Sequence, residues 1–133
     1  MESNDYEGLQ EDIRDLVLPD IDTWKNRYPD RDYHIRIDIA EFNCICPKTG
    51  QPDFATISID YVPDLGCVEL RSLKLYITAY RNVGVFHEHA VNRILDDFVA
   101  AVKPRSVEIE GLFNARGGIT TTVRARWGRQ RNS

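Results

Sequence analysis

The chain contains no run approaching the roughly 18 consecutive apolar residues of a membrane-spanning helix. Its first residues, MESNDYEGLQED, are polar and acidic, without the apolar core of a signal segment. Both absences lead to the expectation of a cytoplasmic protein. An excess of positive charge is missing too. The 17 Lys and Arg residues stand against 21 Asp and Glu, a formal net charge of −4, whereas general nucleic-acid binding needs concentrated positive charge. Cysteine is scarce, and its three copies are an odd number, which fits a reducing compartment better than a disulfide framework. Internal repeats and low-complexity tracts are absent, and so is the strand–GxGxxG–helix unit of a Rossmann dinucleotide site.

What remains is globular in composition, 42% hydrophobic and 29% charged. At 133 residues the chain can build one compact core and is too short for two ordinary domains. Residues 1–32 are polar with scattered apolar positions (Leu16, Val17, Leu18, Ile21, Trp24) and read as an arm holding one short amphipathic piece. Residues 33–127 read as the folded domain and 128–133 as a solvated, arginine-bearing tail.

From Tyr33 to Ile39 the pattern alternates, with Tyr33, Ile35, Ile37 and Ile39 on one side and His34, Arg36 and Asp38 on the other. That period of two is a half-buried strand. Phe54 to Tyr61 alternates again, so the two stretches can pair antiparallel with the cysteine-bearing loop between them. Val62-Pro63-Asp64-Leu65-Gly66 breaks the pattern as a turn. Ser72 to Tyr80 suits a short helix or a strand, and Arg81 to Gly84 a turn. Spacings of three and four among Val91, Ile94, Leu95, Phe98, Val99 and Val102 predict a helix from about Phe86 to Val102, stopped by Pro104. Val107, Ile109 and Gly111 begin a third strand, and Ile119 to Trp127 makes a fourth. The order strand, strand, helix, helix, strand, strand predicts an α+β sheet with helices on one face. Its edge strands need covering, which favours assembly into a ring.

The stretch from Phe42 to Asp53, FNCICPKTGQPD, concentrates the candidate chemistry. Cys44, Cys46, His87 and His89 could in principle bind zinc. Structural zinc sites space their cysteines by two to four residues, however, and helical residues two apart diverge by about 200°. A Cys-x-Cys pair is also strained as a redox dithiol. Cys67, beside Gly66 in an apolar stretch, reads as a small buried hydrophobe. The catalytic-thiol reading asks for a nucleophile, a proton carrier and an orienting group. An ordinary thiol is only about 3% thiolate at pH 7, so a working one needs a depressed pKa. Cys46 precedes Pro47 and Lys48 in a turn, and Asp53 closes the same loop, where it could serve as a general acid. A surface loop with an incidental cysteine is equally compatible with these residues. Glu88 could simply complement a helix dipole, Glu69 could be a solvated acid, and Arg116-Gly117-Gly118 could be a hairpin turn or an approach to phosphate.

Four segments in order, CPKTGQPDFATI, VELRSLKLYI, YRNVGVFHEHAVNRILDD and FNARGGI, resemble the short, single-module 7-cyano-7-deazaguanine reductases (the QueF family). These are NADPH-dependent nitrile reductases of queuosine biosynthesis with the tunnelling fold that GTP cyclohydrolase I shares. The resemblance spans roughly residues 33–125. It implies that Cys46 is the nucleophile forming a covalent thioimide and that Asp53 is the proton donor. It implies substrate contacts from Val68, Glu69, Leu70, His87 and Glu88, and NADPH contacts from Arg71, Ser72, Lys74, Arg116 and Gly117. No metal is implied. Arg71 stands where the family usually has lysine, keeping the charge but replacing a point charge with a planar fork. A homo-oligomer, a decamer of two stacked pentamers with sites at subunit interfaces, is expected, with no direct nucleic-acid partner and no membrane. Two other readings stand beside it. An amidine-forming relative would use the same cysteine without the NADPH motif, and a zinc-dependent hydrolase of the same fold would contain metal.

Overall fold

The computed structural model describes residues 16–128. Residues 1–15 of the arm and 129–133 of the tail lie outside that range.

Two long hairpins form the framework. β2 (Ile35–Ile45) pairs antiparallel with β3 (Pro52–Val62), β3 with β5 (Ser106–Arg116), and β5 with β6 (Ile119–Gly128), in the sheet order β2-β3-β5-β6. A small ribbon of β1 (Thr23–Lys25) and β4 (Gly66–Val68) lies outside this sheet. Between β4 and β5 run α1 (Leu70–Thr78), a 3-10 turn over Ala79–Asn82, and α2 (His87–Val102). The expected antiparallel sheet with two helices is therefore present.

The core is built from the sequence periods. Ile57, Ile59 and Tyr61 of β3 and Val107, Ile109 and Phe113 of β5 are buried beneath Leu73, Tyr76 and Ile77 of α1 and Val91, Ile94, Leu95, Phe98 and Val102 of α2. Tyr61 meets Phe98 edge-on with ring centroids 5.0 Å apart, a favoured aromatic geometry. Gly111 lets α2 approach the sheet: a Cβ there would lie 2.7 Å from Val91 Cγ2 and 2.9 Å from Phe113 Cε1. α2 ends where Lys103 turns left-handed (φ 51°) and returns its N–H to Val99 O, just ahead of Pro104. The opposite face of the sheet carries exposed cross-strand pairs, His34 with Asp60 (2.7 Å) and Arg124 with Glu110 (2.7 Å). Such pairs order a surface more than they stabilise it.

The structure departs from the sequence reading in three places. β2 does not end at Ile39 but runs to Ile45, because a bulge between Ile39 and Phe42 resets the parity. Ala40 and Glu41 share one partner position, and Phe42 and Cys44 then enter the core face although Ile35, Ile37 and Ile39 are odd-numbered. The described part of the arm contains a short strand, β1, which the sequence reading leaves unassigned. It is sewn to the domain by Glu69 N–H to Asp22 O (2.8 Å) and by Asn26 Nδ2 to Asp64 O (2.7 Å). Ser72–Tyr80, open between helix and strand in the sequence, is helical and starts earlier, at Leu70, because Glu69 caps it.

Candidate active site

The β2–β3 connection is a closed loop. Cys46 N–H donates to Gln51 O (2.8 Å), and Gly50 N–H donates to Cys46 O (2.9 Å). Gly50 sits at φ 73°, a left-handed position that suits glycine. Within the loop, Thr49 Oγ1 accepts from Gln51 N–H (3.2 Å). The turn directs the Thr49 hydroxyl and the backbone amides of Lys48 and Thr49 at the Cys46 sulfur. Partial burial pushes the thiol up, and the nearby Asp53 carboxylate adds to that. The hydrogen bonds to the thiolate outweigh both, leaving Cys46 below an ordinary thiol. Lys48 thus acts through its backbone amide. Cys44, two residues earlier and fully buried, is pushed up to about 12 by burial, with Asp53 and Cys46 adding to it. The pair is therefore split: Cys46 is favoured as a thiolate and Cys44 is a buried, protonated packing thiol.

Asp53 faces Cys44 across the β2–β3 register, and its side chain is 9% exposed. Each carboxylate oxygen has its own partner: Oδ2 lies 3.1 Å from His87 Nε2, and Oδ1 accepts from Arg116 Nη1 at 3.0 Å. His87 is the first residue of α2, and backbone pairing explains its position. Ile45 N–H donates to Val83 O (2.9 Å) and Val85 N–H to Ile45 O (3.0 Å), so the segment entering α2 runs alongside the end of β2. Cys46 follows Ile45, and His87 follows two residues after Val85. The imidazole lies flat on Phe113, centroids 3.7 Å apart and planes at 7°. Glu88, in the first turn of α2, is exposed.

Arg116 ends β5, and the two-residue turn behind it uses Gly117 and Gly118 at φ 61° and 81°, both left-handed as a tight hairpin requires. The guanidinium reaches across to the cysteine loop. Nη1 donates to Pro52 O as well as to Asp53, and Nη2 donates to Gln51 Oε1 (2.7 Å). Cys46, Asp53, His87 and Arg116 therefore come from four elements into one constellation. Among the described residues no three His, Cys, Asp or Glu side chains are arranged to hold a metal ion.

The remaining candidates gather around the start of α1. Val68 is buried at the end of β4. The Glu69 carboxylate caps the helix, accepting from Ser72 N–H (2.7 Å) and Arg71 N–H (2.9 Å), and these bonds hold its pKa below the usual carboxylate value. Its other lone pairs stay open to further donors. Leu70 is 59% exposed, a large apolar side chain in solvent. Ser72 is buried, with its hydroxyl donating to Glu69 O and accepting from Asp22 N–H, both at 2.8 Å. Arg71 and Lys74 are exposed and three residues apart on the helix, hence on one face. They offer two cations to a phosphate-bearing ligand, whereas the Ser72 hydroxyl is engaged in joining the arm to α1.

Three contributors escape the sequence reading. Thr49 and Gln51 look like turn residues, yet Thr49 hydrogen-bonds Cys46 and Gln51 holds Arg116. Phe113 continues the inward period of Val107, Ile109 and Gly111, so the alternation could have found it, though not its stack on His87.

The chain is similar to known proteins. The family profile described as QueF-like protein matches residues 52–132. The NADPH-dependent 7-cyano-7-deazaguanine reductase of Nitrosococcus oceani is 58% identical over 108 residues, 81% of this chain and 84% of that protein. The like-named protein of Halorhodospira halophila is 58% identical over 105 residues, 79% of this chain and 89% of that protein. Among solved structures, the apo archaeosine synthase QueF-Like superposes with a TM-score of 0.69 over 74% of this chain and 96% of its own, at 22% identity, which establishes a shared fold.

Proposed function

Because the chain belongs to the QueF-like protein family, we propose that it reduces the nitrile of 7-cyano-7-deazaguanine to the aminomethyl group with NADPH, through a covalent thioimide on Cys46, in the tRNA queuosine pathway. The observation that carries this reading is the pairing of a thiol held below its ordinary pKa with a buried carboxylate and an imidazole in one constellation.

A nitrile is a poor hydride acceptor, so the first task of the chain's own residues is to convert it into a carbon–nitrogen double bond. The Cys46 sulfur forms a bond to the nitrile carbon, one π pair moves to nitrogen, and nitrogen takes a proton relayed by Asp53 from the thiol. His87 orients the Asp53 carboxylate through its 3.1 Å contact. Glu88 and Glu69 are suited to accept hydrogen bonds from the exocyclic amine and ring N–H of the deazaguanine, with Val68 and Leu70 beside them. Arg71 and Lys74 suit the phosphates of NADPH, and Gly117, lacking a side chain, lets such a ligand approach closely. Ser72 supports that site by holding the start of α1. When bound, NADPH supplies hydride, two equivalents for the four-electron reduction.

Among the described residues the edge strands of the sheet are β2, paired on its outer side at Ile45 with the segment entering α2, and β6, and the last hairpin exposes Leu112, Ile119 and Trp127. Edge strands with large apolar side chains favour closure by further copies of the chain. A ring, a decamer of two pentamers, is the assembly we propose, with residues 33–127 as its catalytic domain and a cytoplasmic location.

The mechanism is tested by intact-mass measurement after mixing the protein with 7-cyano-7-deazaguanine. Wild-type protein should gain the mass of one substrate molecule per chain, and Cys46→Ala should gain none. An adduct that survives Cys46→Ala would remove the assigned nucleophile.

A further inference from the structure

Arg116 donates to three consecutive acceptors of the cysteine loop: Gln51 Oε1, Pro52 O and Asp53 Oδ1. The first two anchor the guanidinium, and the third is on the carboxylate that closes the loop. His87 holds the other carboxylate oxygen. With one partner on each oxygen, the orientation of the Asp53 carboxylate is restrained at both ends. Burial of Asp53 at 9% exposure leaves water little access to substitute for either partner. Arg116 reaches this point from the tip of a hairpin whose left-handed glycines let the strand reverse immediately behind it.

We propose that Arg116 is a positioning residue for adduct formation: it fixes the Asp53 carboxylate, through which the proton passes from sulfur to nitrile nitrogen. This rests on the Cys46 thioimide reading and adds to it a step that precedes any use of NADPH. The step is balanced within the chain and substrate. The S–H bond breaks, an S–C bond and an N–H bond form, one C–N π bond is lost, and no electrons are gained or removed. A residue whose sole role is to hold the cofactor has no part in this step, so adduct formation without NADPH separates the two roles.

Arg116 also discriminates by shape. A planar guanidinium can bridge the side chains of Gln51 and Asp53 at once. A lysine ammonium keeps the charge but lacks the fork whose two nitrogens meet these three acceptors.

The test uses the full chain with 7-cyano-7-deazaguanine and no NADPH, following adduct mass against time for wild type, Arg116→Met and Arg116→Lys. Iodoacetamide labelling in parallel reports the fold, since Cys46 is accessible and Cys44 is buried. The inference predicts adduct formation slowed about 100-fold in Arg116→Met, as for a misplaced reacting group, with Arg116→Lys between it and wild type and Cys44 still protected in both. A wild-type rate in folded Arg116→Met would overturn it and restrict Arg116 to the cofactor. If Arg116→Met exposes Cys44, Arg116→Lys decides: slowed formation supports positioning, and an unchanged rate overturns it. Absence of any adduct in wild type would instead overturn the thioimide reading, and this inference with it.

Discussion

His87 lies flat against Phe113, rings 3.7 Å apart and 7° from parallel, with its Nε2 3.1 Å from Asp53. The stack links the hydrophobic core to the Asp53 carboxylate: a buried side chain of β5 sets the plane in which the imidazole meets it. Phe113→Leu keeps most of the apolar volume and loses the flat surface. It should cost about 1 kcal/mol of stability, the scale of an aromatic pair, and slow adduct formation on Cys46. Phe113→Ala should cost about 3–5 kcal/mol by opening a cavity. Denaturant midpoints and adduct time courses check both; unchanged adduct kinetics in Phe113→Leu would show that the stack does not orient His87.

The two cysteines of the loop should behave oppositely towards alkylating reagent. Cys46 is held below an ordinary thiol and Cys44 is pushed up to about 12. Alkylation of Cys46 should therefore rise with pH and level off at a lower pH than for an unfolded thiol, while Cys44 stays unlabelled. Because the folded value of Cys46 is depressed, its contribution to stability is present above the unfolded thiol pKa. That contribution is lost as pH falls through the folded value. Thr49→Val, which deletes the hydroxyl facing the sulfur, should move the alkylation profile to higher pH, and Thr49→Ser should restore it. Peptide mapping of the labelled sites gives the answer directly.

Ser72 separates a structural from a cofactor-contacting role. Its hydroxyl accepts from Asp22 N–H and donates to Glu69 O, and the residue is buried. Ser72→Ala should lower stability by about 1–3 kcal/mol, the cost of an unsatisfied backbone donor. The KM for NADPH should change less than in Arg71→Ala or Lys74→Ala, whose side chains are exposed on one face of α1. A loss of NADPH affinity with unchanged stability would reverse that ranking.

Where local pattern decides structure, the sequence was informative. The inward residues of β3 and β5 follow a period of two, and the spacing from Val91 to Val102 with Pro104 behind it delimits α2 to within a residue of His87–Val102. The grouping of Cys46, Asp53 and His87 could be expected from the family motifs. The bulge after Ile39 was not legible, because one extra residue inverts the alternation without leaving any turn-forming residue at the site. β1 and β4 were missed for a different reason: each is three residues long and exists through pairing with the other. The sequence suggests a phosphate for Arg116. Its contact with Asp53 spans 63 positions and depends on two hairpins lying side by side.

The central claim is tested most directly by mixing purified protein with 7-cyano-7-deazaguanine and NADPH, following cofactor absorbance and the mass of the product together. Oxidation of about two NADPH for each aminomethyl product formed is the expected result, as a four-electron reduction by a hydride donor requires. A covalent adduct on Cys46 without NADPH oxidation would contradict the reductase assignment and leave a thiol that captures the nitrile for a different acceptor.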